Sequence, residues 1–383
     1  MRNVIVFISA LLLLSACSST SFLSKNKPEL KQEAFPSYSS YTVESPEEIF
    51  HLSQEAIDFV EFVTQSETDD LGRMSALVFA IFDHAGLNLG YTADANTIAS
   101  ETFYNGAANC LSLTVMAYSM AEYLGIDARF QDVQIPEFWT FRQGASIINR
   151  HINLRVKMPT RRLGPLAKNG DLIVDFDPSR NAKEFSSVEL NRRQIVSYFY
   201  NNKGAEYLIN DERDKAFAYY KAAIEADPSN EGAWLNLGVL YSRSGYLDEA
   251  EEAYKHALSL KSNYLSALEN LAAIYAKTQR EDESNSIDAR LHKKRLKNPY
   301  YHSMLAEYAL LENRPQDAIS HFKKAIALNN RAHEFFFGLA KAYYAVGDVE
   351  RSSDALIKAR KRSNNRRVSE QYSKKLSLLA YRG

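Results

Sequence analysis

The 383-residue sequence contains two cysteines, Cys17 and Cys110, and their surroundings invite different chemistry. Cys110 follows the turn-like stretch Asn105-Gly106-Ala107-Ala108-Asn109. It opens a run in which Leu113, Val115, Met116, Met120, Tyr123 and Leu124 recur at helical spacing before Gly125. That spacing predicts a buried helix with the thiol in its first turn, where the helix dipole and uncommitted backbone N–H groups favour a thiolate and can steady an oxyanion. Strands are expected over 126–135, 147–158 and 172–177. In the second, Ile152, Leu154, Val156 and Met158 alternate onto one face and turn His151 and Asn153 to the other. In the third, Asp175 stands opposite Leu172, Val174 and Phe176. A helix-borne Cys, a strand His and a strand Asp are the parts of a nucleophile, a general base and the carboxylate that orients it. Asp177 rivals Asp175 on the same face but lies beside Pro178 at the strand end, so Asp175 is preferred.

Each of these residues also has a plainer use. Cysteine on an apolar helix is commonly inert core, a strand histidine can satisfy a backbone carbonyl, and either aspartate can cap a turn before Pro178. For an oxyanion, the backbone N–H of Cys110 is the expected donor, with Asn109 and Tyr104 as side-chain candidates. His84, beside Asp83, has no companion at metal-ligand spacing. With no glycine-rich phosphate loop, His-x-x-x-His pair or nucleotide signature, no cofactor and no metal is expected.

The N-terminus sets the compartment. Arg2 is followed by an apolar run from Val4 to Leu14, too short to remain as a comfortable membrane span. The tetrapeptide Leu14-Ser15-Ala16-Cys17 resembles the lipobox of bacterial lipoproteins. That resemblance implies a signal peptide over 1–16, acylation of Cys17 and, with Ser18 rather than Asp next, a periplasm-facing place on the outer membrane; an ordinary secretory peptide is the other reading. If Cys17 carries lipid, Cys110 is the sole thiol of the mature chain and cannot form an intramolecular disulfide. Residues 17–44, rich in Ser, Lys and Pro, are expected to be a flexible tether. Order should begin at Ser45-Pro46-Glu47-Glu48, a helix start with its cap, its proline and its reciprocal glutamate.

The C-terminal half repeats every 34 residues. Small residues recur at Gly204, Gly238, Ala272, Ala306 and Ala340; Leu237, Leu271, Leu305 and Leu339 keep the same stride, as do Ala216, Ala250, Ser284, Ala318 and Ser352. Small side chains let two antiparallel helices approach while Leu and Tyr fill the space between successive hairpins. The pattern resembles the tetratricopeptide repeat, in five units at 197–230, 231–264, 265–298, 299–332 and 333–366, with 367–383 as a capping helix. In the third unit Asp288 occupies a position that is apolar elsewhere, so its second helix is expected to be irregular or exposed. The basic stretches Arg290 to Lys297 and Lys358 to Arg367 suit acidic partners or lipid head groups, or simply a solvated face.

Taken together, Asn109-Cys110-Leu111-Ser112-Leu113, Asn149-Arg150-His151-Ile152-Asn153 and Val174-Asp175-Phe176 are similar to the signature blocks of the transglutaminase-like, papain-related superfamily. More narrowly, they resemble bacterial lipoproteins that join such a domain to tetratricopeptide repeats. The resemblance implies an α+β papain/transglutaminase-like domain over 45–196 followed by an all-α solenoid. It also implies Cys110 as nucleophile, His151 as base and acid, and Asp175 as orienting carboxylate. The activity it implies is a lipid-anchored cysteine hydrolase or acyltransferase acting on amide bonds, with repeats recruiting a protein or peptide. The alternatives are a catalytically silent scaffold or adaptor, and a binder of periplasmic peptides or cell-wall stems without turnover. With 46 basic against 47 acidic residues, no field attracts a polyanion, and nucleic acid is not an expected partner.

Overall fold

The computed structural model describes residues 27–82, 90–91, 95–105, 107–134, 139–142, 145–148, 151–157, 171–176, 185–363 and 366–380. Cys17, Asp83, His84, Asn149, Arg150 and Asp177 lie outside them. The N-terminal module opens with α1 (Pro46–Phe50), where Ser45 accepts from the Glu48 N–H at 3.2 Å and Glu48 accepts from the Ser45 N–H at 2.6 Å. This is the expected capping box. Helices α2 (Gln54–Thr64) and α3 (Asp70–Phe82) follow, then β1 (Gly90–Tyr91), α4 (Ala99–Tyr104) and β2 (Ala107–Ala108), with β1 and β2 pairing in parallel. The central helix α5 (Cys110–Tyr123) ends at Gly125, whose φ of 71° supplies the left-handed turn expected of a C-terminal glycine.

Beyond it lie β3 (Ala128–Val133), the antiparallel hairpin of β4 (Trp139–Arg142) and β5 (Ala145–Ile148), β6 (His151–Lys157), β7 (Asp171–Val174) and β8 (Ser187–Leu190). Strands β7, β6, β3 and β8 form one antiparallel sheet in that order. Its register sets Val174, Leu154, Phe130 and Leu190 in a buried row, and Tyr118 of α5 stacks on Phe130 at 4.3 Å. The long strand expected over 147–158 is two strands, β5 and β6. The other two are shorter than expected, because β3 stops at Val133 and β7 at Val174.

Helix α6 (Arg192–Ile209) crosses the expected module boundary at 196/197 without a break. With α7 (Arg213–Ala226) it forms the first of five helical hairpins. The others are α8 (Glu231–Arg243) with α9 (Leu247–Leu260), α10 (Leu265–Lys277) with α11 (Glu281–Arg295), α12 (Pro299–Leu311) with α13 (Pro315–Leu328), and α14 (His333–Ala345) with α15 (Val349–Arg362). A final helix, α16 (Arg366–Ala380), covers the last hairpin through buried Tyr372, whose hydroxyl meets His333 at 2.9 Å. The turns within the hairpins carry the period in their backbone, since Asp211, Gly245, Gln279, Asn313 and Gly347 all have positive φ. Helix α11 is regular and exposed: Asp288 faces solvent and only Ser284 and Leu291 are buried.

Two expectations need revising. Residues 27–44 are not a flexible tether, because they pack against the first two hairpins. Phe35 is 2% exposed and stacks on Phe217 at 4.8 Å, and the Lys31 N–H donates to the Tyr241 hydroxyl at 2.9 Å. Isolated aromatic anchors in a polar stretch outweigh its linker-like composition. Nor is the repeat core continuous. One apolar cluster runs from Phe35 through the sheet and α5 to Tyr275, while a separate one begins at Ala306 and ends at Tyr372. Two smaller apolar clusters, Leu265 with Leu268 and Leu291 and Ala325 with Ala332 and Phe335, stand apart from both, and Arg295 binds Glu269 and lies 5.7 Å from the Tyr301 ring.

Gln279 is exposed and holds φ at 59°. Replacing it with Gly should stabilise the chain by about 1 kcal/mol, since a left-handed backbone costs a residue with a Cβ roughly that much. A urea midpoint that stays put or falls would contradict this reading of the turn.

Candidate functional site

Asn109 caps α5. Its Oδ1 accepts from the Ser112 N–H at 2.8 Å, which leaves Cys110 half-buried at the head of a helix whose Leu111, Leu113, Val115 and Met116 are buried. One turn later the Thr114 hydroxyl donates to the Cys110 carbonyl at 2.6 Å and reaches the Ile152 carbonyl at 3.4 Å. The start of α5 therefore lies at the end of β6 that begins with His151. On that strand His151 is 4% exposed, and its Nε2 meets Asp175 Oδ2 at 2.9 Å. A carboxylate on Nε2 fixes the ring and leaves Nδ1 as the nitrogen able to address a thiol.

The described hydrogen bonds join His151 to Asp175. Helix α5 packs on the face of the sheet bearing Phe130 and Leu154, whereas His151 and Asn153 alternate to the other face. The structure thus pairs His151 with Asp175 and places Cys110 at the neighbouring helix start.

Both side-chain candidates for an oxyanion donor are engaged elsewhere. Asn109 spends its amide on Asn96 Oδ1 at 3.3 Å, and Tyr104 donates to Glu55 at 2.6 Å on the exposed surface. That bond holds the Glu55 carboxyl below its ordinary range and raises the Tyr104 phenol. Asn96 is a residue that sequence reasoning missed. It is 5% exposed, and its Nδ2 donates to the Phe199 carbonyl of α6 at 3.1 Å. Beside it the Asn109 N–H donates to the Ala95 carbonyl at 2.9 Å and the Thr97 N–H to Ser112 Oγ at 2.9 Å. No periodic pattern marks these residues, so only the folded chain reveals them.

Among the described residues no three His, Cys, Asp or Glu side chains gather as metal ligands. A cleft of about 650 Å³ lies at the far end of α5, and its arginines are already matched: Arg192 with Glu122 at 3.2 Å and Arg129 with Glu189 at 2.8 Å. The basic stretches are also used within the chain. Arg290 donates to the Ser262 carbonyl at 2.8 Å and Arg362 to that of Asn330 at 2.6 Å.

A tetratricopeptide-repeat family model matches residues 197–230 and 231–264, and a second one matches 309–373. These segments are tetratricopeptide repeats. The chain is similar to protein bimA of Emericella nidulans, with 38% identity over 64 residues, 17% of this chain and 8% of that protein. It is also similar to the peroxisomal targeting signal receptor of Saccharomyces cerevisiae, with 33% identity over 155 residues, 40% of this chain and 22% of that one. It thus spans a small fraction of these relatives' lengths. Similar solved structures include YrrB, a TPR protein with an unusual peptide-binding site, at 17% identity and a TM-score of 0.25 over 46% of this chain and 92% of that one. Another is pilF of Pseudomonas aeruginosa, at 19% identity and a TM-score of 0.27 over 50% and 87%.

If the His151–Asp175 pair serves the thiol, iodoacetamide should modify Cys110 below pH 7, and His151→Ala should slow that reaction by about tenfold or more. Labelling confined in both proteins to the range of an ordinary thiol, near pH 8.5, would show that the pair is structural.

Proposed function

We propose that this chain is a repeat scaffold or adaptor that binds a protein or peptide through its tetratricopeptide repeats. The observation that carries the reading is an exposed apolar surface on the first helices of the last two hairpins. Leu311 is 83% exposed, and Tyr308 and Tyr344 are about half exposed. The Lys341–Glu307 ion pair, at 2.7 Å, ties α12 to α14 beside them. Such side chains, rimmed by charge, suit a segment that brings apolar residues of its own. The peroxisomal receptor and the peptide-binding TPR protein are consistent with a binding role by their names alone.

A second reading is favoured by the pairing of buried His151 with half-buried Asp175 beside the Cys110 helix start. In it the N-terminal module is a transglutaminase-like cysteine hydrolase or acyltransferase. Cys110 would attack an amide carbonyl, the amine would leave with a proton from His151, and water or a second amine would resolve the thioester. Anchorage through an acylated Cys17, facing the periplasm from the outer membrane, is part of the proposal under either reading. It is supported by the order of the apolar run, the small residues and the cysteine. Among the described residues no helix is long and apolar enough to cross a membrane.

The test is photocrosslinking in cells. A benzophenone amino acid at position 311 or 344 should give a discrete adduct that is absent when the probe stands at exposed Glu252 on α9. Adducts from neither position, or the same adducts from all three, would overturn the scaffold reading.

A further inference from the structure

Residues 28–44 are held in the manner of a bound peptide. They contribute no strand and no long helix, only the two three-residue 3₁₀ turns Gln32–Ala34 and Tyr38–Ser40. Side chains and a few backbone groups make the attachment. Phe35 enters an aromatic cradle, 4.8 Å from Phe217, 6.0 Å from Tyr241 and 6.2 Å from Tyr246. Tyr38 meets the edge of Phe217 at 5.2 Å. Lys31 binds Glu249 with its ammonium, which also lies 5.1 Å from the Tyr246 ring. The Ser37 N–H donates to Asp214 at 3.0 Å, and Tyr219 donates to Glu44 at 2.7 Å. Tyr200 of α6 donates to the Glu44 carbonyl, and the other groups named here belong to α7, α8, α9 or the turn before α9.

We propose that this face of the first two repeats is a binding site for a short segment carrying a lysine, an aromatic four residues later and a second aromatic three beyond it. Residues 28–44 are its ligand in cis. A buried aromatic in a preformed cradle, flanked by one charge pair, is how linear segments gain affinity without a large interface. Tethering raises the effective concentration of the cis segment to roughly the millimolar range, so a segment of the same chemistry from another molecule gains access only when the cis copy is released. The site is separate from the apolar surface of α12 and α14 and does not depend on it.

The experiment uses the full chain and a fluorescent synthetic peptide spanning residues 28–44. Lys31→Ala with Phe35→Ala in the protein weakens the cis segment and leaves the cradle intact. The peptide should bind this variant saturably and about tenfold or more tightly than it binds the unmodified chain. Adding Glu249→Lys should abolish binding of the natural peptide and restore it for a peptide carrying Lys31→Glu. Because Glu249 is at the rim and half-buried, this second arm keeps the repeat core unaltered. No saturable binding to the weakened variant, equal binding to both proteins, or indifference to the charge exchange would each overturn the proposal.

Discussion

Helix α6 must be buried by both halves of the molecule, and the rest of the structure depends on that constraint. Toward the N-terminal module its Phe199 carbonyl accepts from Asn96, which in turn accepts from the Asn109 that caps α5. Toward the repeats, Ser197 donates to the Ala223 carbonyl at 2.7 Å and accepts from Asn230 at 2.8 Å, and Asn230 caps α8. Gly204 lets the ring of Tyr220 lie where a Cβ would come within 2.6 Å. These carboxamides and hydroxyls are buried, and a buried polar group stripped of its partner costs about 1–3 kcal/mol, so the thread is expensive to break at any point. An array of repeats needs its terminal hydrophobic faces covered. Here the N-terminal module covers the first and α16 the last.

The same constraint divides the chain in an unexpected place. Composition suggests a boundary between module and repeats, yet the apolar core passes through that point and stops between the third and fourth hairpins. Helix α11 explains the stop: Ser284 and Leu291 are its buried residues, Leu291 packs back on Leu265 and Leu268 of α10, and Arg295 pairs with Glu269. The first three hairpins therefore belong to a platform with the candidate thiol, while the exposed apolar surface of α12 and α14 sits on a separate one. Binding on the second platform has no continuous core through which to reach Cys110.

Much of this was legible in the sequence where one residue type repeats at a fixed stride. The small-residue columns located every hairpin, and Ser45-Pro46-Glu47-Glu48 and Gly125 marked helix ends by chemistry that needs only neighbours in the chain. What depended on distant partners was not legible. Phe35 and Tyr38 are isolated aromatics whose anchoring requires Phe217 and Tyr241 to be in place, so a linker composition concealed a bound segment. Asn96 carries no periodicity. The pairing of His151 with Asp175 followed from strand alternation, and that same alternation turns His151 away from the face on which α5 packs.

The claim that α6 welds the module to the first repeats is tested most directly by hydrogen exchange of the full chain, followed by mass spectrometry in low denaturant. The account predicts that amides at the start of α5 and those of α6 through α8 open together with one free energy, while α12 through α16 open separately and sooner. Protection that persists in α6 through α9 after the sheet and α5 have exchanged would contradict it.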